Sequence, residues 1–188
     1  MLDNYSSKKV GSGNTLYVFG EIYNPTRDTL SLVKVAVNFF STSGQLVGTD
    51  SGYISNDVLP EEKACFLIIV SDPPEEWSYY EFEPPNYYES GYAPPELTLL
   101  DVQYLRPAHD IIGRVRNDDT KAVEFVGAEA TLYSSVVKVV DCDHSYTNNT
   151  TLVPEQVSAF QISFLYSTST EVGSYSVRAF GRLQSEHN

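Results

Sequence analysis

Residues 20–59 read GEIYNPTRDTLSLVKVAVNFFSTSGQLVGTDSGYISNDVL, and residues 113–152 read GRVRNDDTKAVEFVGAEATLYSSVVKVVDCDHSYTNNTTL. An offset of 93 residues aligns the two stretches without a gap. Identical residues meet at Gly20 and Gly113, Asn24 and Asn117, Val33 and Val126, Val47 and Val140, and Asp50 and Asp143. One extra residue, placed at Val153, lets the match continue from Pro60 and Pro154 to Ile68 and Ile162. Self-similarity of this kind indicates a repeat architecture, so we predict two units of similar fold.

Apolar residues alternate with polar ones through both copies, which is typical of half-buried strands. The predicted inner faces are Val33, Val35, Val37 and Phe39 with Phe66, Ile68 and Val70 in the first copy, and Val126, Ala128, Ala130 and Leu132 with Phe160, Ile162 and Phe164 in the second. Turn residues separate the strands, and no long helical period occurs. The sequence therefore predicts an all-β protein made of two tandem units, each of them a β-sandwich or a barrel.

Domain boundaries follow from the repeat and from composition. Residues 1–14 are polar and rich in Gly and Ser, and we expect a loosely attached leader there. Alignment with the second unit also places a first strand somewhere in residues 1–10. Residues 15–92 form the first repeat, in which a proline- and tyrosine-rich link at 71–96 supplies edge strand and linker. The second repeat covers residues 97–184.

Composition excludes two classes of partner. The net charge of −13 and the pI of about 4.5 argue against nucleic-acid binding, which needs clustered Lys and Arg. No apolar run reaches the 18 residues of a membrane-spanning helix, so we predict that this chain does not cross a membrane. The first residues lack the apolar core of a signal peptide. A native start and a chain cut from a longer, anchored precursor both fit.

The two cysteines occupy positions that are not equivalent in the repeat, because Cys65 aligns with Ala159 and Cys142 aligns with Thr49. A bridge requires Cα atoms within about 7 Å of each other. We therefore expect two free thiols.

The motifs of the repeat resemble a known family. Each copy carries Gly-x-hydrophobic-x-Asn, a strand ending in Phe39-Phe40 or Leu132-Tyr133, and a Leu-(x)-Pro-Glu segment before a strand with Phe. This pattern resembles the FxLYD-type domains of bacterial and archaeal envelope proteins, over residues 14–90 and 97–184. The resemblance implies immunoglobulin-like sandwiches in extracytoplasmic, lipoprotein-like proteins without catalytic residues. The second copy departs from the pattern, because it lacks the turn glycine that Gly44 supplies in the first.

Two groups of side chains could hold a metal ion. Asp141, Asp143 and His144 have metal-ligand chemistry, but neighbouring strand residues point to opposite faces, so a solvated strand end is the preferred interpretation. Carboxylates along the link could hold Ca²⁺ at the domain junction. No acidic run of the EF-hand type supports that alternative.

Catalytic motifs are missing from the sequence. The histidines are His109, His144 and His187, and no G-x-S-x-G elbow, phosphate loop or dinucleotide fingerprint accompanies them. We therefore predict no enzymatic activity and no cofactor.

An apolar outer face distinguishes the first unit from the second. If the strands that carry them are neighbours, Tyr17, Phe19, Tyr23, Leu67 and Ile69 form one patch. Exposed apolar patches mark interaction surfaces, so we expect an external partner or a cover from within the chain, either segment 77–92 or the second unit.

The leading functional hypothesis is a non-catalytic interaction or structural module of the cell envelope that binds a protein or a glycan. One alternative is a small-ligand or calcium-binding two-domain protein with its site at the domain junction, in which Tyr87, Tyr88 and Tyr92 stack on sugar rings. Another is an accessory domain of a larger enzyme.

Overall fold

The computed structural model describes residues 2–9, 14–91 and 93–184. The chain divides into two compact units, Met1–Ser90 and Gly91–Asn188. Every regular element in the described part of the chain is a β-strand, so the all-β prediction is confirmed. No helix that could cross a membrane occurs in those residues.

The first unit consists of two antiparallel sheets. Its strands are β1 (Leu2–Lys9), β2 (Leu16–Tyr23), β3 (Thr29–Phe40), β4 (Leu46–Tyr53), β5 (Lys63–Val70), β6 (Tyr79–Phe82) and β7 (Asn86–Ser90). One sheet has the order β1-β2-β5, and the other has the order β4-β3-β6, with β7 also paired to β3.

The second unit pairs its strands in the corresponding order. Its strands are β8 (Leu97–Leu105), β9 (Asp110–Asn117), β10 (Val123–Tyr133), β11 (Val139–Tyr146), β12 (Val157–Ser163) and β13 (Ser174–Leu183). The sheets have the orders β12-β9-β8 and β11-β10-β13. The 93-residue offset carries the ends of β4 onto the ends of β11.

Each unit has one core, to which both of its sheets contribute, and this is the arrangement of a β-sandwich. The predicted inner faces of β3, β5, β10 and β12 are buried in these cores, as the alternation indicated. The more specific immunoglobulin-like classification stays a prediction.

The expected leader at residues 1–14 is wrong for most of its length. Residues Leu2–Lys9 form β1, which pairs antiparallel with β2 and places Tyr5 opposite Gly20. The other expectation, a first strand within residues 1–10, is met. The sequence did not predict this strand in detail because its side chains do not alternate between buried and exposed positions. Backbone hydrogen bonds to β2 hold it in the sheet, and polar side chains do not prevent such bonds.

The last strand differs between the units. In the second unit β13 is one strand of ten residues, whereas in the first unit Pro84 and Pro85 separate β6 from β7. Proline has no N–H to donate to a ladder, which explains the break. The predicted link at residues 71–96 therefore contains two strand segments at a sheet edge.

A buried asparagine closes the loop that follows β2. The Asn24 amide nitrogen donates to the carbonyl oxygens of Asp28, at 2.8 Å, and Val58, at 3.0 Å. Its Oδ1 accepts from the backbone N–H of Thr26 at 3.0 Å and from the Thr26 hydroxyl at 2.7 Å. Asn24 is fully buried, so these bonds replace water for a polar group that would otherwise be costly to bury.

Asn117 does the same after β9. Its amide donates to the carbonyl oxygens of Lys121 and Leu152, both at 2.8 Å, and its Oδ1 accepts from the Asp119 N–H at 2.9 Å. The bridges Leu30–Val58 and Val123–Leu152 are equivalent. The extra residue of the second unit therefore lies before Leu152, and its placement at Val153 is wrong.

The repeated glycines allow an aromatic ring of the neighbouring strand to pack directly over the backbone, Phe66 over Gly20 and Phe160 over Gly113. A Cβ on Gly20 would overlap the Phe66 ring, and a Cβ on Gly113 would lie 2.7 Å from Phe160 Cζ. Both rings belong to the cores. The glycine of the Gly-x-hydrophobic-x-Asn motif is thus required by close packing.

A buried ion pair joins β10 to β13 in the second unit. Arg178 donates from Nε and Nη2 to the two carboxylate oxygens of Glu129, at 3.0 and 2.9 Å. The two side chains are only 11% and 6% exposed, respectively. Bidentate geometry of this kind is what makes burial of both charges tolerable.

Asp118 fastens the end of β9 to β8. Its carboxylate accepts hydrogen bonds from Arg116 Nε and from the Thr98 hydroxyl. The Arg116 hydrogen bond, followed by that of Thr98, lowers the pKa of Asp118 from its ordinary value.

Candidate functional site

A cleft opens in the second unit between the edge strands β8 and β13. Its volume is about 580 Å³. Val102, Gln103, Tyr104 and Arg106 line one side, and residues 172–175 line the other. The size is that of a small-molecule site.

Larger side chains pack together at the equivalent edge of the first unit. There, Tyr5 of β1 makes edge-to-face contacts with Phe82 and Tyr80 of β6, with ring centroids 5.0 and 6.1 Å apart. Phe82 lies opposite Val37 on β3. The corresponding residue of the second unit is Val177, which lies opposite Ala130 on β10.

The partner of Tyr5 also shrinks in the second unit. Tyr5 lies opposite Gly20, whereas Val102 approaches Gly113, with its Cγ2 3.2 Å from the point where a Cβ would lie. Two aromatic side chains of the first unit are thus replaced by valines. Of the two valines, Val102 lines the cleft, together with Tyr104 and Tyr175.

Arg106 is fixed at the rim of the cleft. Its Nη1 donates to the Ser169 carbonyl oxygen at 2.9 Å, and its Nη2 donates to that of Val172 at 3.2 Å. The guanidinium also lies 5.6 Å from the centroid of the Tyr104 ring. These contacts hold a cation in one place next to an aromatic wall.

A hydrogen-bonded chain runs behind Tyr104. The Tyr104 hydroxyl lies 2.6 Å from His109 Nδ1, and His109 Nε2 lies 2.9 Å from the Ser167 hydroxyl. Burial raises the pKa of Tyr104, against a smaller lowering by Arg106, so the phenol is neutral at physiological pH. Sequence reasoning did not connect these residues, because Tyr104 and Ser167 are 63 positions apart.

The order serine, histidine and hydroxyl resembles a nucleophile with its base and an orienting group. An oxyanion site needs free N–H donors next to the nucleophile. The Ser167 N–H donates to Asp141 Oδ2 at 2.7 Å, and the Thr168 N–H donates to Glu171 Oε2 at 2.6 Å. The hydrogen bonds among Tyr104, His109 and Ser167 therefore connect the loop after β12 to the turn before β9, and they do not form a complete nucleophilic site.

The metal-site candidates do not converge. Asp141 is buried and accepts from the N–H groups of Tyr166 and Ser167. Asp143 Oδ1 lies 3.8 Å from His144 Nδ1, while Asp141 and His144 project to opposite faces of β11. Within the described ranges, no group of three or more His, Cys, Asp or Glu side chains is placed to hold a metal ion.

The predicted apolar patch is not one exposed surface. The register confirms that its strands are neighbours, because Tyr17 lies opposite Ile69 and Phe19 opposite Leu67. Phe19, however, is 0% exposed, and Ile69 is 46% exposed. Tyr23 and Leu67 are partly buried. The five residues therefore do not form one exposed surface, and the burial of Phe19 fits the covered outcome, one of the two that the sequence left open.

The predicted sugar-stacking tyrosines do not form one platform. Tyr87 and Tyr88 are exposed neighbours on β7. Adjacent strand residues project to opposite faces, so their rings cannot stack on one ligand together. Tyr92 lies outside the described residues.

Both cysteines are oxidised. Cys65 on β5 and Cys142 on β11 are each disulfide-bonded, and neither is a free thiol. The expectation of two free thiols is wrong, because non-equivalent positions in a repeat carry no information on the distance between their Cα atoms.

No family model and no curated protein matches the chain. Among solved structures, a β-glucuronidase from Ruminococcus gnavus in complex with D-glucuronic acid is 10% identical, with a TM-score of 0.21. The match covers 90% of this chain and 36% of that protein, so the chain spans about a third of its length. A likeness at this level supports no conclusion about fold or function.

Proposed function

We propose that this protein is a non-catalytic, extracytoplasmic interaction module that works in the cell envelope, or as a secreted protein, through contacts to a protein or a glycan. The observation that carries the proposal is the oxidised state of Cys65 and Cys142. Disulfides persist in oxidising compartments and are rare in the cytosol, where thiols are kept reduced.

Two further features favour binding over catalysis. The hydrogen bonds of His109 and Ser167 are used to join two loops, and the backbone donors near Ser167 are occupied. The open cleft between β8 and β13 offers a place for a ligand beside groups that can recognise it. The FxLYD-type resemblance points to the same role.

Trapping the thiols in the source cells tests the proposal. Source cells are fractionated, each fraction is denatured in the presence of a maleimide so that buried thiols also react, and the protein is detected by blotting, with a reduced sample as the labelling control. We expect the protein in the envelope fraction or the medium, with neither cysteine labelled until reductant is added. A cytosolic protein with two labelled cysteines would overturn the proposal.

A pull-down from envelope extract tests the interaction itself. The full chain is immobilised, and specific binding is measured against a chain of similar charge. Retention of an envelope protein or glycan is the expected result, and the absence of any such binding would contradict the interaction role.

A further inference from the structure

We propose that the β8–β13 cleft binds a sugar unit that carries a carboxylate. This inference rests on the proposed interaction role and deepens it, because it names a glycan as the ligand and the second unit as the place of contact.

The walls of the cleft suit a sugar ring. Tyr104 and Tyr175 lie with ring centroids 6.0 Å apart and planes tilted by 47°. Tyr175 is 39% exposed, so part of its ring is available to a ligand. A pyranose has a face of C–H groups that packs against an aromatic ring, while its hydroxyls need polar partners. Gln103 and Ser174 also line the cleft and contribute polar atoms to its wall.

The charge of the cleft selects an anion. Arg106 is the charged residue among the described residues of the lining, and none of those residues is a carboxylate. The chain as a whole carries a net charge of −13, so a cationic rim stands out against an acidic surface.

Arg106 retains donors for a ligand after its structural bonds are made. It gives one N–H to each of two carbonyl oxygens, whereas a guanidinium has five N–H donors in total. The two bonds fix the guanidinium before a ligand arrives, which lowers the entropy cost of binding. A carboxylate is the partner whose geometry a guanidinium matches best.

The first unit provides an internal comparison. Its equivalent edge is filled by Tyr5 and Phe82, which contact each other at 5.0 Å. Substituting Val102, the residue that takes the place of Tyr5, with tyrosine should therefore refill the cleft of the second unit without adding charge.

Calorimetric titration of the full chain tests the proposal. The probes are a galacturonic-acid trisaccharide, the neutral galactose trisaccharide and an acetylated tripeptide with a free carboxylate. We expect the acidic sugar to bind at least about tenfold more tightly than the neutral one, which is the effect of one charge-assisted hydrogen bond. Added salt should weaken the acidic sugar more than the neutral one.

Variants locate the binding. Arg106→Gln and Val102→Tyr should each lower affinity for the acidic sugar by about tenfold or more. Arg106→Gln removes the positive charge, and Val102→Tyr fills the space that the sugar would occupy. Arg114→Gln is the matched control, because Arg114 is an exposed arginine on β9 that pairs with Asp101 outside this cleft. Thermal unfolding of each variant confirms that it is folded.

The cleft proposal would be overturned by equal binding of the acidic and neutral sugars, by equal effects of Arg106→Gln and Arg114→Gln, or by preferential binding of the tripeptide. An envelope protein that binds no sugar would refute the cleft alone. A cytosolic protein with reduced cysteines would refute the proposed function, whatever the titration shows.

Discussion

Substitution of Asn24 by alanine should unfold the first unit at a much lower urea concentration. The side chain makes four hydrogen bonds in a fully buried position. At a net value of about 1 kcal/mol each, and with part of the freed groups regaining other partners, the loss in unfolding free energy is about 3–4 kcal/mol. With a slope of about 1.5 kcal/mol per molar urea, the midpoint should fall by about 2 M.

Fluorescence of the chain's single tryptophan makes this measurement specific to the first unit. Trp77 packs on Phe39 of that unit's core, with ring centroids 5.5 Å apart. Asn86→Ala is the matched control, because Asn86 is exposed on β7. This substitution should change the free energy of unfolding by less than about 0.5 kcal/mol.

A second substitution separates the amide donor from the acceptor. Asn24→Asp keeps the oxygen that accepts from Thr26 but turns a second oxygen toward the carbonyls of Asp28 and Val58. It should destabilise the unit at least as much as the alanine variant. The reasoning is refuted if Asn24→Ala shifts the midpoint no more than Asn86→Ala.

Three further substitutions test the second unit. Glu129→Gln leaves the buried guanidinium of Arg178 without its carboxylate, and it should cost about 3 kcal/mol of unfolding free energy by urea titration and circular dichroism. Gly113→Ala forces a Cβ against the Phe160 ring and should cost about 1–3 kcal/mol, seen as a lower melting temperature. Asp118 has a lowered pKa, so its contribution to stability is present above the ordinary value of 3.8 and is lost as the pH falls through the folded-state pKa. Asp118→Asn should therefore reduce stability at neutral pH but not at strongly acidic pH.

Each of these has a clear opposing result. An unchanged urea midpoint for Glu129→Gln would mean that the ion pair is dispensable. A Gly113→Ala variant as stable as the parent would show that Phe160 moves without cost. A constant difference between Asp118→Asn and the parent across the acidic range would exclude the charge of Asp118 as the cause.

Alternation in the sequence predicted the strands well, because a half-buried strand imposes a period of two on side-chain polarity. Val33, Val35 and Val37 are all fully buried, as their pattern indicated. The alignment of the two copies paired Asn24 with Asn117, and in the structure these two residues close equivalent loops.

Features that depend on distances between strands were beyond the sequence. The β1 strand lacks a buried alternation, the exposure of Phe19 depends on what surrounds its sheet, and the state of Cys65 depends on three-dimensional proximity. The cleft depends on the sizes of side chains at two edges, such as Val102. An alignment compares one position at a time, whereas the volume of a cleft depends on the combined sizes of several side chains.

The proline break between β6 and β7 has a consequence for the fidelity of folding. Adjacent domains of similar sequence in one chain are at risk of exchanging equivalent strands during folding. On β10, the native partner β13 runs unbroken from Ser174 to Leu183. A segment with Pro84 and Pro85 at its centre would leave a carbonyl oxygen of β10 without an N–H donor, because one of the two adjacent residues would direct its nitrogen toward β10. The break therefore disfavours pairing of the last strand of the first unit with β10 while the chain folds.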